Sequence, residues 1–179
     1  MVHPNVRAAK TLVKEGILFL AQAAVFAGVL YIILQPFEIF LQELVAQHTQ
    51  WVLNALGTTT TFQNTIQFWA GAYLVEISPL CAGLLEMILL ASAMAATSTV
   101  SNVQKTKGIL AGVALLYLFN VFRIVITVQQ LVHTSLSFAE LTHDVFFRLM
   151  LIAGFAAVYA AWLNFGKISA WGRGKGLIS

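Results

Sequence analysis

Residues 108–132 read GILAGVALLYLFNVFRIVITVQQLV, an apolar stretch in which Arg123 is the one charged side chain. A helix needs about 20 predominantly apolar residues to cross the hydrocarbon core of a bilayer. The stretch therefore predicts a transmembrane helix, and its Gly108 and Gly112 stand at the GxxxG spacing typical of close helix packing. Because a charged side chain is costly among lipid tails, Arg123 is the first candidate for a functional residue.

The rest of the chain has the same apolar character. It has 179 residues, of which 59% are hydrophobic and 9% are charged, whereas roughly a quarter of the residues of a typical soluble domain are charged. This composition excludes a water-soluble enzyme, a disordered tail and a free-standing nucleic-acid-binding domain. We predict an all-α integral membrane protein in which residues 1–179 form a single membrane domain.

Three further stretches are long and apolar enough to span a bilayer, at about residues 16–35, 80–96 and 144–165. Together with residues 108–132 they predict a bundle of four transmembrane helices. The first stretch is stopped by Pro36, which cannot donate a hydrogen bond to a continuing helix. Basic residues precede it as in a signal peptide, but its apolar region is longer than a secretory one and no cleavage site follows. We therefore expect it to remain as an anchor.

The basic residues predict which way the bundle faces. Cytoplasmic loops carry an excess of Lys and Arg, and eight of the ten in this chain flank the predicted spans on one side, whereas residues 36–79 contain none. We therefore expect a multi-pass protein of the cell membrane, with both termini in the cytoplasm and residues 36–79 outside. The eight basic residues are Arg7, Lys10, Lys14, Lys105, Lys107, Lys167, Arg173 and Lys175.

The segment at residues 36–79 has two parts. From Phe37 to Leu56 apolar residues recur at helical spacing, with polar residues such as Gln50 between them, which predicts an amphipathic helix on the outer membrane surface or over the bundle. The β-branched and aromatic residues that follow suggest a short β-hairpin turning near Ala70 and Gly71. The apolar positions of the helix are Phe37, Phe40, Leu41, Leu44, Val45, Val52 and Leu56.

Reactive and charged side chains from three predicted helices lie at a similar depth, beneath the external ends of the spans. Arg123 lies roughly 22 Å from the cytoplasmic end of its span, at 1.5 Å per residue. Cys81 begins the second span, and His143 and Arg148 lie at the start of the fourth. Asn120 shares a helical face with Arg123 because the two are three residues apart. The sequence therefore predicts one site near the external face.

A cysteine, a histidine and an arginine suffice for acyl transfer from a peptide. A thiolate attacks the carbonyl to give a thioester, a histidine moves the proton to the leaving amine, and an arginine donates hydrogen bonds to the oxyanion. No cofactor or metal is expected. Cys81 is the only cysteine, which excludes a CxxC site and an internal disulfide, and the four histidines lack HExxH spacing.

Each of these residues also has an ordinary structural explanation. A lone cysteine such as Cys81 often packs as a small apolar residue. His143 could be polar decoration of the interface, and His133 is an equal candidate by position. Arg148 could extend its side chain to the external headgroups. The shared depth of these residues is therefore the stronger argument for a site.

Two other functions fit the same residues. In a non-enzymatic membrane subunit or a small anion transporter, Arg123 and Arg148 would bind an anion or the carboxylate of a partner. Glu86 could also be a purely structural partner of Arg123. The second alternative to acyl transfer is a membrane hydrolase that cleaves a peptide without transferring it.

Two short motifs resemble those of the exosortase/archaeosortase membrane transpeptidases. Residues 75–84, VEISPLCAGL, resemble the Cys-(Ser/Ala)-Gly motif of that family, and residues 120–124, NVFRI, resemble its Asn-x-x-Arg motif on a following helix. His143 stands where the third catalytic residue of the family begins the next span. The resemblance covers about residues 73–154 in order, spacing and membrane side.

The resemblance implies roles for these residues. Cys81 would be the nucleophile, Arg123 would stabilise the charged intermediate, and His143 would be the general acid/base. Arg148 is left without a role and could assist or replace His143. Many members of the family have more spans, so the resemblance implies a compact version with four.

The resemblance also implies the partners. The substrates would be membrane-tethered proteins with a C-terminal sorting signal, made of a short motif, a transmembrane helix and a basic cluster. Cleavage would occur at the outer face of the membrane, and the acyl group would pass to an amine on a lipid or glycan acceptor. The lipid bilayer is then also a partner, and no nucleic acid is expected to bind.

Overall fold

The computed structural model describes the backbone of residues 4–134 and 147–174, and the side chains of residues 13–134 and 149–164. This part of the chain is mostly helical and contains a small antiparallel sheet of three strands. In chain order, the elements are α1 (Pro4–Leu34), α2 (Glu38–Ala55), β1 (Thr60–Phe62), β2 (Gln67–Ala70), β3 (Tyr73–Glu76), α3 (Pro79–Ala82), α4 (Leu84–Ala96), α5 (Asn102–His133) and α6 (Phe147–Gly174).

Two helical stretches of the described residues are long and apolar enough to cross a membrane. They are Val13–Ala55, which joins α1 to α2, and Asn102–His133, which is α5. Shorter apolar helices, Leu84–Ala96 and Leu149–Asn164, lie within the second and fourth predicted spans. The helical fold is therefore confirmed for the part of the chain described, whereas four membrane crossings stay a prediction.

The first helix ends where Pro36 predicts. The α1 helix stops at Leu34, and a single 3-10 turn, Gln35–Phe37, carries the proline in its first positions. Because proline lacks an N–H group and its ring opposes a continuing α-helix, the regular α-helical hydrogen bonding is interrupted here. α1 packs against α4, whereas α2 packs against α3 and α5.

The α2 helix forms as predicted, and its buried face holds both polar and apolar side chains. Its buried residues include Gln50, whose Oε1 accepts a hydrogen bond from Thr60 Oγ1 at 3.3 Å, whereas Phe40 and Leu56 are 63% and 61% exposed. Val45, one of the predicted apolar positions, is fully buried, so the predicted separation of polar and apolar residues between the two sides of the helix is only partial. The buried set is Gln42, Val45, Ala46, Thr49, Gln50 and Leu53.

The predicted β-hairpin is confirmed and is joined by a third strand. Strands β2 and β3 pair antiparallel with Ala70 opposite Tyr73, so the chain turns at Gly71, whose φ is +59°. Strand β1, which the sequence did not predict, pairs with β2 on its other side. Phe68 and Ala70 of β2 are fully buried and pack in one cluster with apolar residues of α2 and α5. Cys81 packs against this cluster, so the sheet lies at the end of the bundle that carries the candidate site.

A second apolar cluster joins α4 and α5 to α6. At its edge, a Cβ atom on Gly108 would overlap Nε1 of Trp162. That indole nitrogen donates a hydrogen bond to the main-chain carbonyl of Gln104, at 3.2 Å. α5 and α6 therefore approach closely only because residue 108 has no side chain, as the GxxxG spacing predicts.

Candidate active site

Cys81 lies in α3, a helix of a single turn. Ser78 caps this helix, and its Oγ accepts a hydrogen bond from the main-chain N–H of Cys81 at 3.3 Å. Pro79 occupies the first turn, where its missing N–H costs nothing. Gly83 then adopts φ +78°, a left-handed conformation that ends α3 and begins α4. Glycine adopts this conformation without the steric cost of a Cβ atom.

Asn120 holds the backbone of Cys81 in place. The side-chain Nδ2 of Asn120, which is 2% exposed, donates a hydrogen bond to the main-chain carbonyl of Cys81 at 2.5 Å. Carbonyls at the end of a helix lack partners within that helix, and inside a membrane water does not replace them. A Cβ atom on Gly83 would lie 3.1 Å from the same Nδ2 atom. The two motifs of the sequence therefore contact each other directly.

Arg123 reaches the same site from the next turn of α5. It is 5% exposed, and it lines a cavity of about 440 Å³ together with Cys81. The other lining residues are mainly apolar, and such walls strengthen the field of any charge inside. The full lining comprises Ser78, Leu80, Cys81, Glu86, Arg123, Leu151 and Ile152.

Glu86 is the functional candidate that the sequence reading missed. The sequence predicts only a structural pairing of Glu86 with Arg123, yet Glu86 lines the cavity with Cys81. Its Oε2 atom is buried and has no hydrogen-bond partner among the residues that the structure describes. Its position inside a predicted span was the available signal, since ionisable residues there are candidates for function.

The histidine candidates are placed differently. His143 lies outside the described residues, so its predicted position in the site stays a prediction. His133 ends α5, is exposed and is not part of the cavity lining. Arg148 lies in the first turn of α6, one turn before the cavity-lining Leu151, but its side chain is outside the described part of the chain.

The described residues contain no cluster of three or more His, Cys, Asp or Glu side chains that could hold a metal ion. Within the same residues, the polar groups that line the cavity are a thiol, a guanidinium, a carboxylate and a hydroxyl. These groups can supply a nucleophile, an oxyanion donor and a proton acceptor.

Comparison with known proteins gives one match. No curated protein and no solved structure matches the chain. The model of one family, described as transmembrane exosortase, matches residues 7–162. This range includes most of α1, all of α2 to α5, the sheet, and the part of α6 that lines the cavity. The chain therefore belongs to the transmembrane exosortase family.

Proposed function

We propose that this protein is a membrane cysteine transpeptidase that cleaves C-terminal sorting signals and transfers the released proteins to an amine on a lipid or glycan anchor. Membership of the exosortase family implies, in general terms, a cysteine transpeptidase acting on membrane-bound proteins with sorting signals. One observation supports the specific mechanism. Cys81 and Arg123, from α3 and α5, line the same cavity.

In the first half of the reaction, the thiolate of Cys81 attacks the carbonyl carbon of the substrate peptide. The positive charge of Arg123 favours the thiolate, and its N–H groups donate hydrogen bonds to the oxyanion that forms. The C–N bond then breaks, and the leaving amine takes a proton. We assign this proton transfer to His143, with Arg148 as an assisting residue one turn before the cavity-lining part of α6.

In the second half, the acceptor amine attacks the thioester. A C–N bond forms, the C–S bond breaks, and the thiol of Cys81 is regenerated. Water would compete at this step and release the acid instead. The apolar lining from Leu80, Leu151 and Ile152 disfavours water in the cavity, which supports transfer over hydrolysis.

The proposal includes the orientation of the bundle. Both termini lie in the cytoplasm, and the cavity opens at the external face of the cell membrane, as the distribution of basic residues indicates. A substrate anchored by its own helix then presents its cleavage site at a fixed depth. Part of the entropic cost of bringing the two reactants together is removed in this way.

The test is processing of a tailed protein by a Cys81→Ala variant. The probe is a protein from the same genome that ends in a short motif, a hydrophobic helix and basic residues, co-expressed with the full chain. We expect its cleavage to stop while the variant accumulates in the membrane at the wild-type level. Normal cleavage would reject the mechanism. Cleavage that continues in Cys81→Ser but stops in Arg123→Ala would favour the anion-binding alternative.

A further inference from the structure

Glu86 is a charged residue in the cavity for which the proposed mechanism has no use. It lies in the first turn of α4, five residues after Cys81, and both line the cavity with Arg123. The residue is partly buried, and its Oε2 atom is fully so. None of the described residues donates a hydrogen bond to that oxygen.

A buried carboxylate oxygen without a hydrogen bond is costly, and more so inside a membrane. The N-terminal end of α4 offsets part of the cost, because acidic residues are favoured in the first turn of a helix. A ligand that donates hydrogen bonds and carries a positive charge would satisfy the oxygen fully. The cavity therefore offers a guanidinium for an anion and a carboxylate for a cation.

We propose that Glu86 binds the ammonium group of the acceptor and is the base that activates it. The acceptor is then a primary amine that arrives protonated, whichever anchor carries it. This inference rests on the proposed transpeptidase function and adds a catalytic residue and a substrate charge to it. Arg123 serves the oxyanion, and Glu86 serves the attacking nitrogen.

The protons balance in this step. The acceptor ammonium gives one proton to the carboxylate of Glu86 and becomes a neutral amine. Its nitrogen attacks the thioester carbon, the C–N bond forms and the C–S bond breaks. The second proton passes from the new amide nitrogen to the thiolate of Cys81, and Glu86 then releases its proton to water. No oxidant or reductant takes part.

The first experiment uses the fact that Cys81 is the only cysteine in the sequence. Modification of the purified full chain in detergent is timed with a cationic reagent, 2-aminoethyl methanethiosulfonate, and an anionic one, 2-sulfonatoethyl methanethiosulfonate. Both react at the same thiol, so the ratio of their rates reports the charge beside it. Glu86→Gln should lower the ratio of cationic to anionic rates about tenfold, and Glu86→Asp should keep most of it.

The matched control is Glu76→Gln. Glu76 is an exposed carboxylate of β3 that accepts a hydrogen bond from Gln67 and does not line the cavity. The ratio should stay at the wild-type value in this variant. An unchanged ratio in Glu86→Gln, or an equal fall in Glu76→Gln, would overturn the proposal.

A second measurement needs no variant. Ethanolamine added to the wild-type chain should slow the modification of Cys81 by the neutral reagent methyl methanethiosulfonate, compared with an equal concentration of sodium chloride. Equal rates would contradict an ammonium site beside the thiol. This arm keeps the proposal testable even where Glu86→Gln fails to fold.

Transfer assays separate this inference from the proposed function. With the co-expressed tailed protein, Glu86→Gln should reduce transfer to added ethanolamine about tenfold, whereas the control variant Glu76→Gln should transfer it at the wild-type rate. If Cys81→Ala still cleaves, the transpeptidase function fails. If Cys81→Ala is inactive and Glu86→Gln transfers ethanolamine at the wild-type rate, only the role of Glu86 fails.

Discussion

The side-chain amide of Asn120 donates a hydrogen bond to the main-chain carbonyl of Cys81. This contact joins α3 to α5 and thereby fixes the residue with the candidate nucleophile relative to Arg123, one turn along α5. This arrangement explains why Asn120 and Arg123 stand one helical turn apart on α5. One residue holds the backbone of the cysteine, and the other reaches into the cavity beside its side chain.

Replacement of Asn120 by alanine should therefore damage both stability and activity. The carbonyl of Cys81 loses its buried donor, and an unsatisfied buried group costs about 1–3 kcal/mol. We expect a lower unfolding temperature in detergent and a loss of tail cleavage larger than the loss of folded protein. The two quantities are measured by thermal scanning fluorescence and by gel analysis of the co-expressed substrate.

Gln129→Ala is the matched control for that prediction. Gln129 also lies on α5, and its Nε2 donates a hydrogen bond to Thr58 Oγ1 at 2.9 Å, away from the cavity. It should lower the unfolding temperature and leave the cleavage rate per folded molecule unchanged. Equal effects of both variants on that rate would mean that Asn120 has only a structural role.

Gly83→Ala should lower the stability of the protein by more than the conformational cost of a left-handed alanine alone. Its φ of +78° is left-handed, and a left-handed residue with a Cβ atom costs about 1–2 kcal/mol. Here the new methyl group would also lie 3.1 Å from Asn120 Nδ2. Gly57 has a similar φ, +87°, but open space around its Cβ position. Gly57→Ala therefore measures the conformational cost alone, and equal losses of stability would contradict crowding at Gly83.

Helix positions and the hairpin could be predicted from the sequence because both depend on local patterns. Apolar length places α1 and α5, and the β-branched run near Ala70 and Gly71 places the turn. The buried face of α2 could be predicted only in part. The apolar Val45 is buried, but so is Gln50, whose Oε1 accepts a hydrogen bond from Thr60 of the sheet, a partner that no pattern within the helix indicates. The third strand depends on pairing between distant residues, which no local pattern records.

The candidate site, too, could be predicted from the sequence only in part. Depth within the spans indicated that Cys81 and Arg123 are near each other, because rise per residue converts sequence into height. Height does not say which way a side chain points around the helix axis. Glu86 is close to Cys81 in sequence, but its place in the cavity depends on how α4, α5 and α6 pack together.

Gly108→Ala should separate α5 from α6. The added methyl group would overlap the indole of Trp162, whose ring is held by the carbonyl of Gln104, so the helices must move apart. We expect a lower unfolding temperature and slower tail cleavage, since α6 also carries the cavity residues Leu151 and Ile152. Both are measured with the chain in detergent and with the co-expressed substrate.

Gly154→Ala is the control, because it lies in α6 with nothing within 4 Å of its Cβ position. Alanine is favoured over glycine inside a helix by about 1 kcal/mol, so this variant should be as stable as the wild type or slightly more so. A Gly108→Ala variant with wild-type stability would contradict the close packing of α5 against Trp162.

Arg123 variants test the oxyanion role directly. Removal of a single oxyanion donor typically costs about 100-fold or more in turnover, so Arg123→Ala should slow tail cleavage by at least that factor. Arg123→Lys keeps the charge but loses the planar fork of N–H donors, and we expect an intermediate rate. Modification of Cys81 by a neutral thiol reagent checks that the cavity persists in both variants. An Arg123→Lys variant as fast as the wild type would contradict a role for the planar N–H donors, because a positive charge alone would then be enough.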